Sequence, residues 1–142
     1  MGGQAAAAGH ERPGPFYQGL SEALKDHAKA VFKLNQQQPD GKTLRDHLEA
    51  AERSTGRRPA DLDVPPLPPA CADVWQLFLQ LRQRSGGGFG PQPLDEPRLL
   101  AWCQLHGQQL TSWEVETIFG LDNVWLQAES ESKPAADRAA PH

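Results

Sequence analysis

All four tryptophans of this 142-residue chain lie within residues 75–126, where apolar side chains recur at helical spacing between short breaks. The clearest pattern covers residues 72–84, whose apolar residues repeat at i, i+3, i+4 and i+7 and so predict a helix with one buried face. Related patterns near residues 95–106 and 112–126 predict two more helices. No segment alternates apolar and polar residues with a period of two. The sequence therefore predicts an all-α protein, a small bundle of about four to five short helices.

The sharpest helix-start signal is the capping box at Thr111 and Glu114. The Thr111 hydroxyl is expected to accept a hydrogen bond from the Glu114 amide, while the Glu114 carboxylate accepts one from the Thr111 amide. Leu110 and Val115 stand where a hydrophobic staple accompanies such a box. Asp95 is a good N-cap for the preceding helix.

In the N-terminal half, Gly- and Pro-containing segments interrupt the helical patterns more often. Residues 1–17 are rich in Ala, Gly and Pro and are expected to be mobile, and a helix is predicted at 21–34. Thr43 begins a second helix that ends at Gly56. Residues 63–69 contain four prolines, which exclude helix and sheet interior, so a polyproline-like connector is predicted there.

These patterns predict three regions. Residues 1–40 form a flexible N-terminal region containing the helix at 21–34, and residues 43–126 form the helical domain. Residues 127–142, which read Gln-Ala-Glu-Ser-Glu-Ser-Lys-Pro and continue as a segment rich in Ala and Pro, form a disordered tail.

Composition narrows the class of protein. The net charge of −4 comes without a basic block, so neither nucleic acid nor a membrane surface is expected as a partner. The two cysteines form no CxxC motif, and no apolar run reaches the length of about 18 residues that a membrane span needs. The N-terminus lacks the features of a signal peptide. A soluble, intracellular protein is expected.

The sequence lacks the usual catalytic and ligand-binding patterns. The segment around Gly41 is not a phosphate-binding loop, because Gln36 stands where the first glycine of that motif belongs. The five histidines have no zinc-ligand spacing. Asp122 lies at the edge of a buried stripe and needs a partner, which could be an amide, a hydroxyl or Arg98. A single acid does not form an active site. No enzyme activity, metal or cofactor is predicted.

Five short motifs stand in a particular order along the chain. They are TLRDHLEAAER at 43–53, TGRRP at 55–59, PLPP at 66–69, LTSWEV at 110–115 and LD at 121–122. In this order they resemble the tail assembly chaperones of long-tailed phages and prophages, over about residues 43–126.

The resemblance implies a helper protein of the host cytoplasm that is absent from the mature virion. Such chaperones keep the tape measure protein soluble and help to recruit tail-tube subunits around it. Many are made as a short and a longer product by ribosomal frameshifting, and this chain resembles the downstream portion. The implied partners are the tape measure protein, tail-tube subunits or both, and self-association stays open.

Aromatic side chains are the natural anchors for such contacts, and Trp75, Phe89 and Trp113 are the candidates. The alternative is that Trp75 and Trp113 belong to the core. Two other functions compete with the chaperone. The fourth and fifth helices could imitate a DNA-binding helix-turn-helix, although few Lys or Arg residues lie nearby. The chain could also be a structural tail or connector component of the virion.

Overall fold

The computed structural model describes residues 15–84 and 92–131. Within these ranges the chain is all-α, as predicted, and contains five helices and two short 3₁₀ turns. The helices are α1 (Pro15–Leu34), α2 (Leu44–Thr55), α3 (Ala72–Arg84), α4 (Glu96–His106) and α5 (Ser112–Glu131), and the 3₁₀ turns are Ala60–Leu62 and Pro69–Cys71.

The first helix is longer and more central than the sequence indicated. Among the described residues it covers Pro15–Leu34, six residues more at its start than the predicted 21–34. Leu24, Ala28 and Phe32 are buried on one face of α1 and belong to the same core as α3 and α5. The compact unit therefore includes α1, which the prediction had left outside in the flexible region of residues 1–40.

The other end of the bundle also extends further. Helix α5 continues to Glu131, five residues beyond the expected end at Leu126, and Ala128 in this last part is buried. The side-chain amide of Gln36 donates a hydrogen bond of 2.9 Å to the Ala128 carbonyl. This bond ties the end of α5 to the residues that follow α1. The remainder of the predicted tail lies outside the described residues.

Helix α2 lies at the surface, and none of its residues is buried. Its start is fixed by a full capping box, because the Thr43 hydroxyl accepts from the Asp46 amide and the Asp46 carboxylate accepts from the Thr43 amide. Gly56 ends the helix at φ 75°, a left-handed conformation that glycine adopts without steric cost. The sequence had predicted the Thr43 cap but not the second bond, in which the Asp46 carboxylate accepts from the Thr43 amide.

The proline-rich connector follows the surface of α1. Pro68 has φ −60° and ψ 133°, which are polyproline II angles, and no regular secondary structure occurs at residues 63–68. The His27 ring is joined to the Pro65 carbonyl through a 2.8 Å contact at Nδ1. Leu62 and Cys71 are buried at the two ends of the connector. The connector thus joins α2 to α3 while packing against the bundle.

Helix α3 supplies the centre of the core. Its predicted apolar face is buried, and Trp75 is buried with it. The Trp75 ring stacks on Phe32 at 5.6 Å and on Phe78 at 6.4 Å between ring centroids, and the His27 ring meets it edge-on at 5.2 Å. These offset aromatic contacts join α1 to α3.

A buried ion pair joins α3 to α5. Arg82 Nη1 lies 2.8 Å from Asp122 Oδ1, and the two side chains are 8% and 3% exposed. The second carboxylate oxygen of Asp122 accepts the Leu94 amide at 2.8 Å, and Arg82 also donates to the Gln92 carbonyl at 2.9 Å. The guanidinium lies 3.8 Å above the centre of the Trp125 ring. Asp122 therefore has the partner that its position required, but that partner is Arg82 and the Leu94 amide rather than Arg98.

Local signals set the starts of the last two helices. The Asp95 side chain accepts from the Arg98 amide at the start of α4, and Gly107 ends that helix at φ 63°. At α5 the structure contains both bonds of the predicted box. The Thr111 amide donates to Glu114 Oε1 at 2.8 Å, and the Glu114 amide donates to Thr111 Oγ1 at 3.1 Å.

We expect Thr111→Ala to lower the free energy of unfolding by about 1 kcal/mol, because an amide of the first turn of α5 loses its acceptor. Glu114→Ala should have a smaller effect, since it removes the bond to the amide that precedes the helix. Ser112→Ala is the control, because the Ser112 side chain takes part in neither bond. Equal melting temperatures for all three variants and the native chain would contradict this role for the box.

Asp122→Asn should lower stability far more, by about 3 kcal/mol or more, because it leaves the Arg82 charge buried without its counter-ion. The control is Asp61→Asn, which removes an exposed ion pair to Lys33 with side chains 56% and 58% exposed. That change should cost at most about 1 kcal/mol. Chemical denaturation measures both values, and similar losses for the two variants would argue against the buried pair as a structural tie.

Candidate partner-binding surface

The start of α1 and the start of α5 meet around Trp113. This tryptophan is the second residue of α5 and is half-buried. Its indole Nε1 donates a 3.2 Å hydrogen bond to Ser21 Oγ of α1. The bond satisfies the one polar group of the ring and fixes its orientation. Part of the ring face is left accessible at the surface.

Two further aromatic residues continue outward from Trp113 along the first turn of α1. The Tyr17 ring lies 5.5 Å from the Trp113 ring, and the Phe16 ring lies 5.4 Å from the Tyr17 ring in an edge-to-face arrangement. Phe16 is 67% exposed and Tyr17 is 45% exposed. We call these three residues the aromatic surface. Neighbouring exposed aromatic rings of this kind offer a large apolar contact area with few torsions to freeze.

A shallow depression of about 160 Å³ lies beside the aromatic surface. Trp113 forms its apolar wall, and its other lining residues are Ser21, Lys25, Glu116 and Thr117. The site therefore combines an apolar wall with one positive and one negative side chain at its edge. Such an arrangement suits a protein segment that carries both apolar and charged residues.

The structure separates the three predicted anchors. Trp113 lies on the aromatic surface and keeps its place as a candidate. Trp75 is only 6% exposed within the aromatic stack of the core, so it has little surface to offer a partner. Phe89 lies outside the described residues.

Phe16 and Tyr17 were missed because the Ala, Gly and Pro content of residues 1–17 suggested a mobile end. A signal was nevertheless present. Tyr17, Leu20 and Leu24 continue the helical spacing of the apolar face backward from Ala28, which extends the predicted helix by about one turn.

Two larger depressions flank the exposed part of α1, and both are lined by Lys29 and Lys33. One, of about 310 Å³, lies between α1 and α5, and the other, of about 350 Å³, lies against the proline-rich connector. Lys33 pairs with Asp61 at 3.5 Å in the second. Their walls contain mostly polar or aliphatic side chains, so they offer no aromatic anchor.

The two thiols and the one buried carboxylate of the described region are poorly suited to catalysis. Burial raises the pKa of the Cys71 and Cys103 thiols, which makes both poor nucleophiles at neutral pH. Asp122 is held by Arg82 and the Leu94 amide. Within residues 15–84 and 92–131, no three His, Cys, Asp or Glu side chains are grouped so that they could hold a metal ion. No helix described by the structure has both the length and the apolar character needed to cross a bilayer.

A helical bundle with an exposed aromatic surface has the make-up of a protein that acts through contact with other proteins. Comparison with known families gives the class a name. The sequence model of a family described as phage tail assembly chaperone matches residues 51–127, which is more than half of the chain. The chain therefore belongs to the phage tail assembly chaperone family. No curated protein and no solved structure matches it.

The matched region runs from the second half of α2 to near the end of α5. It includes Trp113 and both residues of the Arg82–Asp122 pair. It does not include α1, which provides Phe16 and Tyr17. The aromatic surface is thus built jointly by the family region and by a helix outside it.

Zinc, ATP and a dinucleotide are each expected to leave the melting temperature unchanged, because binding to the folded state alone would raise it. A thermal-shift assay at ligand concentrations of about 1 mM makes this test, since a ligand at 100 times its Kd adds about 2.7 kcal/mol. A rise of several degrees with any of the three would contradict the expectation that the chain is not an enzyme and carries no metal or cofactor.

Proposed function

We propose that this protein is a non-catalytic tail assembly chaperone that binds the tape measure protein, tail-tube subunits or both in the host cytoplasm. Membership of the phage tail assembly chaperone family carries the proposal. The aromatic surface supports it, because a chaperone must offer apolar contact area to a client that would otherwise aggregate.

The structure suggests how such contact is made. Phe16 is largely exposed and Tyr17 is about half exposed, while Trp113 is held in place by its bond to Ser21. A client segment that covers all three rings removes apolar surface from water at a site that is already ordered. Lys25 and Glu116 beside the rings then favour a client segment with charged residues flanking its apolar ones.

A helical DNA-binding regulator is less well supported. The outward residues of α5 that would have to contact the duplex are Ser112, Glu116 and Asn123. All three are exposed, and none of them is Lys or Arg. A negative side chain at the centre of this face repels phosphate, and the net charge of −4 gives no compensating attraction.

A structural component of the virion is the second competing function. Mass spectrometry of purified particles separates it from the chaperone. Stoichiometric presence in mature particles would contradict the proposal, whereas absence from particles together with presence in infected cells agrees with a chaperone that is released after assembly.

Co-expression tests the binding directly. The chain should raise the soluble yield of the tape measure protein or of the tube protein encoded in the same genome, and should be co-purified with it. Phe16→Ser and Tyr17→Ser should each weaken the interaction about five-fold or more. Phe16→Ser should leave the melting temperature nearly unchanged, because this side chain is 67% exposed.

Leu48→Ser is the control, since it removes an apolar side chain from α2, a helix with no buried residue that belongs neither to the aromatic surface nor to α4. Lys29→Ala controls for a general effect of charge on α1. Equal binding by the native chain and by the two aromatic variants would refute the aromatic surface as the site. Salt-sensitive binding to duplex DNA, with no effect on either tail protein, would refute the chaperone function itself.

A further inference from the structure

Helix α4 has an outer face unlike that of an ordinary surface helix. Leu105 is 83% exposed and Leu100 is 60% exposed, while only Leu99 of this helix is buried. Exposed helical faces are normally covered by charged and polar side chains. Two leucines held in water on an eleven-residue helix therefore indicate a face that is covered by something else.

The charges around α4 are distributed unevenly. Residues 99–113 contain no Asp, Glu, Lys or Arg, although such residues make up 23% of the chain. The charged residues that precede this segment are Asp95, Glu96 and Arg98, and all three lie at the N-terminal end of the helix.

The uncharged face has a definite shape. Successive helical residues are rotated by about 100°, which places Pro97, Ala101 and Gln104 along its middle and the two leucines along its two edges. Each of these five residues is exposed. Ala101 is the central residue of the helix Glu96–His106. A small residue at the centre, with a leucine on each side, allows a second helix to approach closely and to bury both leucines.

We propose that this face binds the same face of a second copy of the chain, with the two α4 helices antiparallel and Ala101 close to the two-fold axis. A two-fold contact brings each surface against itself, so any charge near its centre would meet its own copy. The uncharged centre removes that repulsion. The antiparallel orientation also places the charged end of each helix beside the neutral Gln104–Gln108 end of the other, whereas a parallel pair would bring like charges together.

The size of the face limits the strength of this contact. Eleven residues at 1.5 Å each give a helix of about 16 Å, which covers less than the ~800 Å² per partner of a standard stable interface. The dimer is therefore expected to be weak and reversible. It forms at high local concentration and leaves the chain monomeric when dilute.

Sedimentation velocity of the full chain alone tests the contact, so the result is independent of whether a tail protein binds. Between about 1 µM and about 1 mM the average mass should rise from 15.6 kDa toward twice that value. Leu105→Glu should abolish the rise without lowering the melting temperature, because this side chain is already in water. Gln80→Glu, which adds the same charge at an exposed position of α3, should leave association unchanged.

Cysteine cross-linking tests the orientation. Under mild oxidation Ala101→Cys should form a covalent dimer faster than the native chain. Leu105→Cys should not, because its two copies lie about 12 Å apart along antiparallel helices, beyond the ~7 Å that a disulfide spans between Cα atoms. A mass that stays monomeric throughout would overturn the proposal. A dimer that survives Leu105→Glu, or that cross-links equally well through either cysteine, would overturn it as well.

Discussion

The ion pair between Arg82 and Asp122 joins three parts of the described chain through one group of hydrogen bonds. It joins the end of α3 to the middle of α5, and through Gln92 and Leu94 it also holds the backbone that leads into α4. Burying two charges is costly, and the cost is offset only because each charge has several partners, including the Trp125 ring beneath the guanidinium. The backbone that leads into α4 is held by this arrangement, and Leu99 of α4 is held by the core.

Features that depend on neighbouring residues were predictable from the sequence, and features that depend on distant ones were not. The caps at Thr43 and Thr111 and the glycine stops at Gly56 and Gly107 involve at most a few consecutive residues, so their residue types suffice to identify them. The partner of Asp122 lies forty residues away on another helix. An apolar stripe shows that a helix face is buried but not against which element, so the central place of α1 could not be read from its spacing alone.

The same distinction explains the outcome for the candidate site. The sequence alone does not distinguish Trp75 from Trp113. In the structure the Trp75 ring packs against the Phe32 and Phe78 rings, whereas Trp113 is half-buried and hydrogen-bonded to Ser21. Phe16 and Tyr17 gain significance only from the packing of α1 on α5. The chaperone family region thus contributes one of the three rings, and the helix that precedes it contributes two. A protein of this family with a different helix before the matched region would therefore present different aromatic residues beside Trp113.

The proline-rich connector also affects the unfolded chain. Four of the seven residues at 63–69 are prolines, whose rings restrict φ to about −65° whether or not the chain is folded. The segment between α2 and α3 therefore samples few conformations before folding and loses little entropy when it packs along α1. In the folded chain the Pro65 carbonyl meets the His27 ring, and the same ring contacts Trp75 of the core. The stiff connector is therefore held by a side chain that also touches the core.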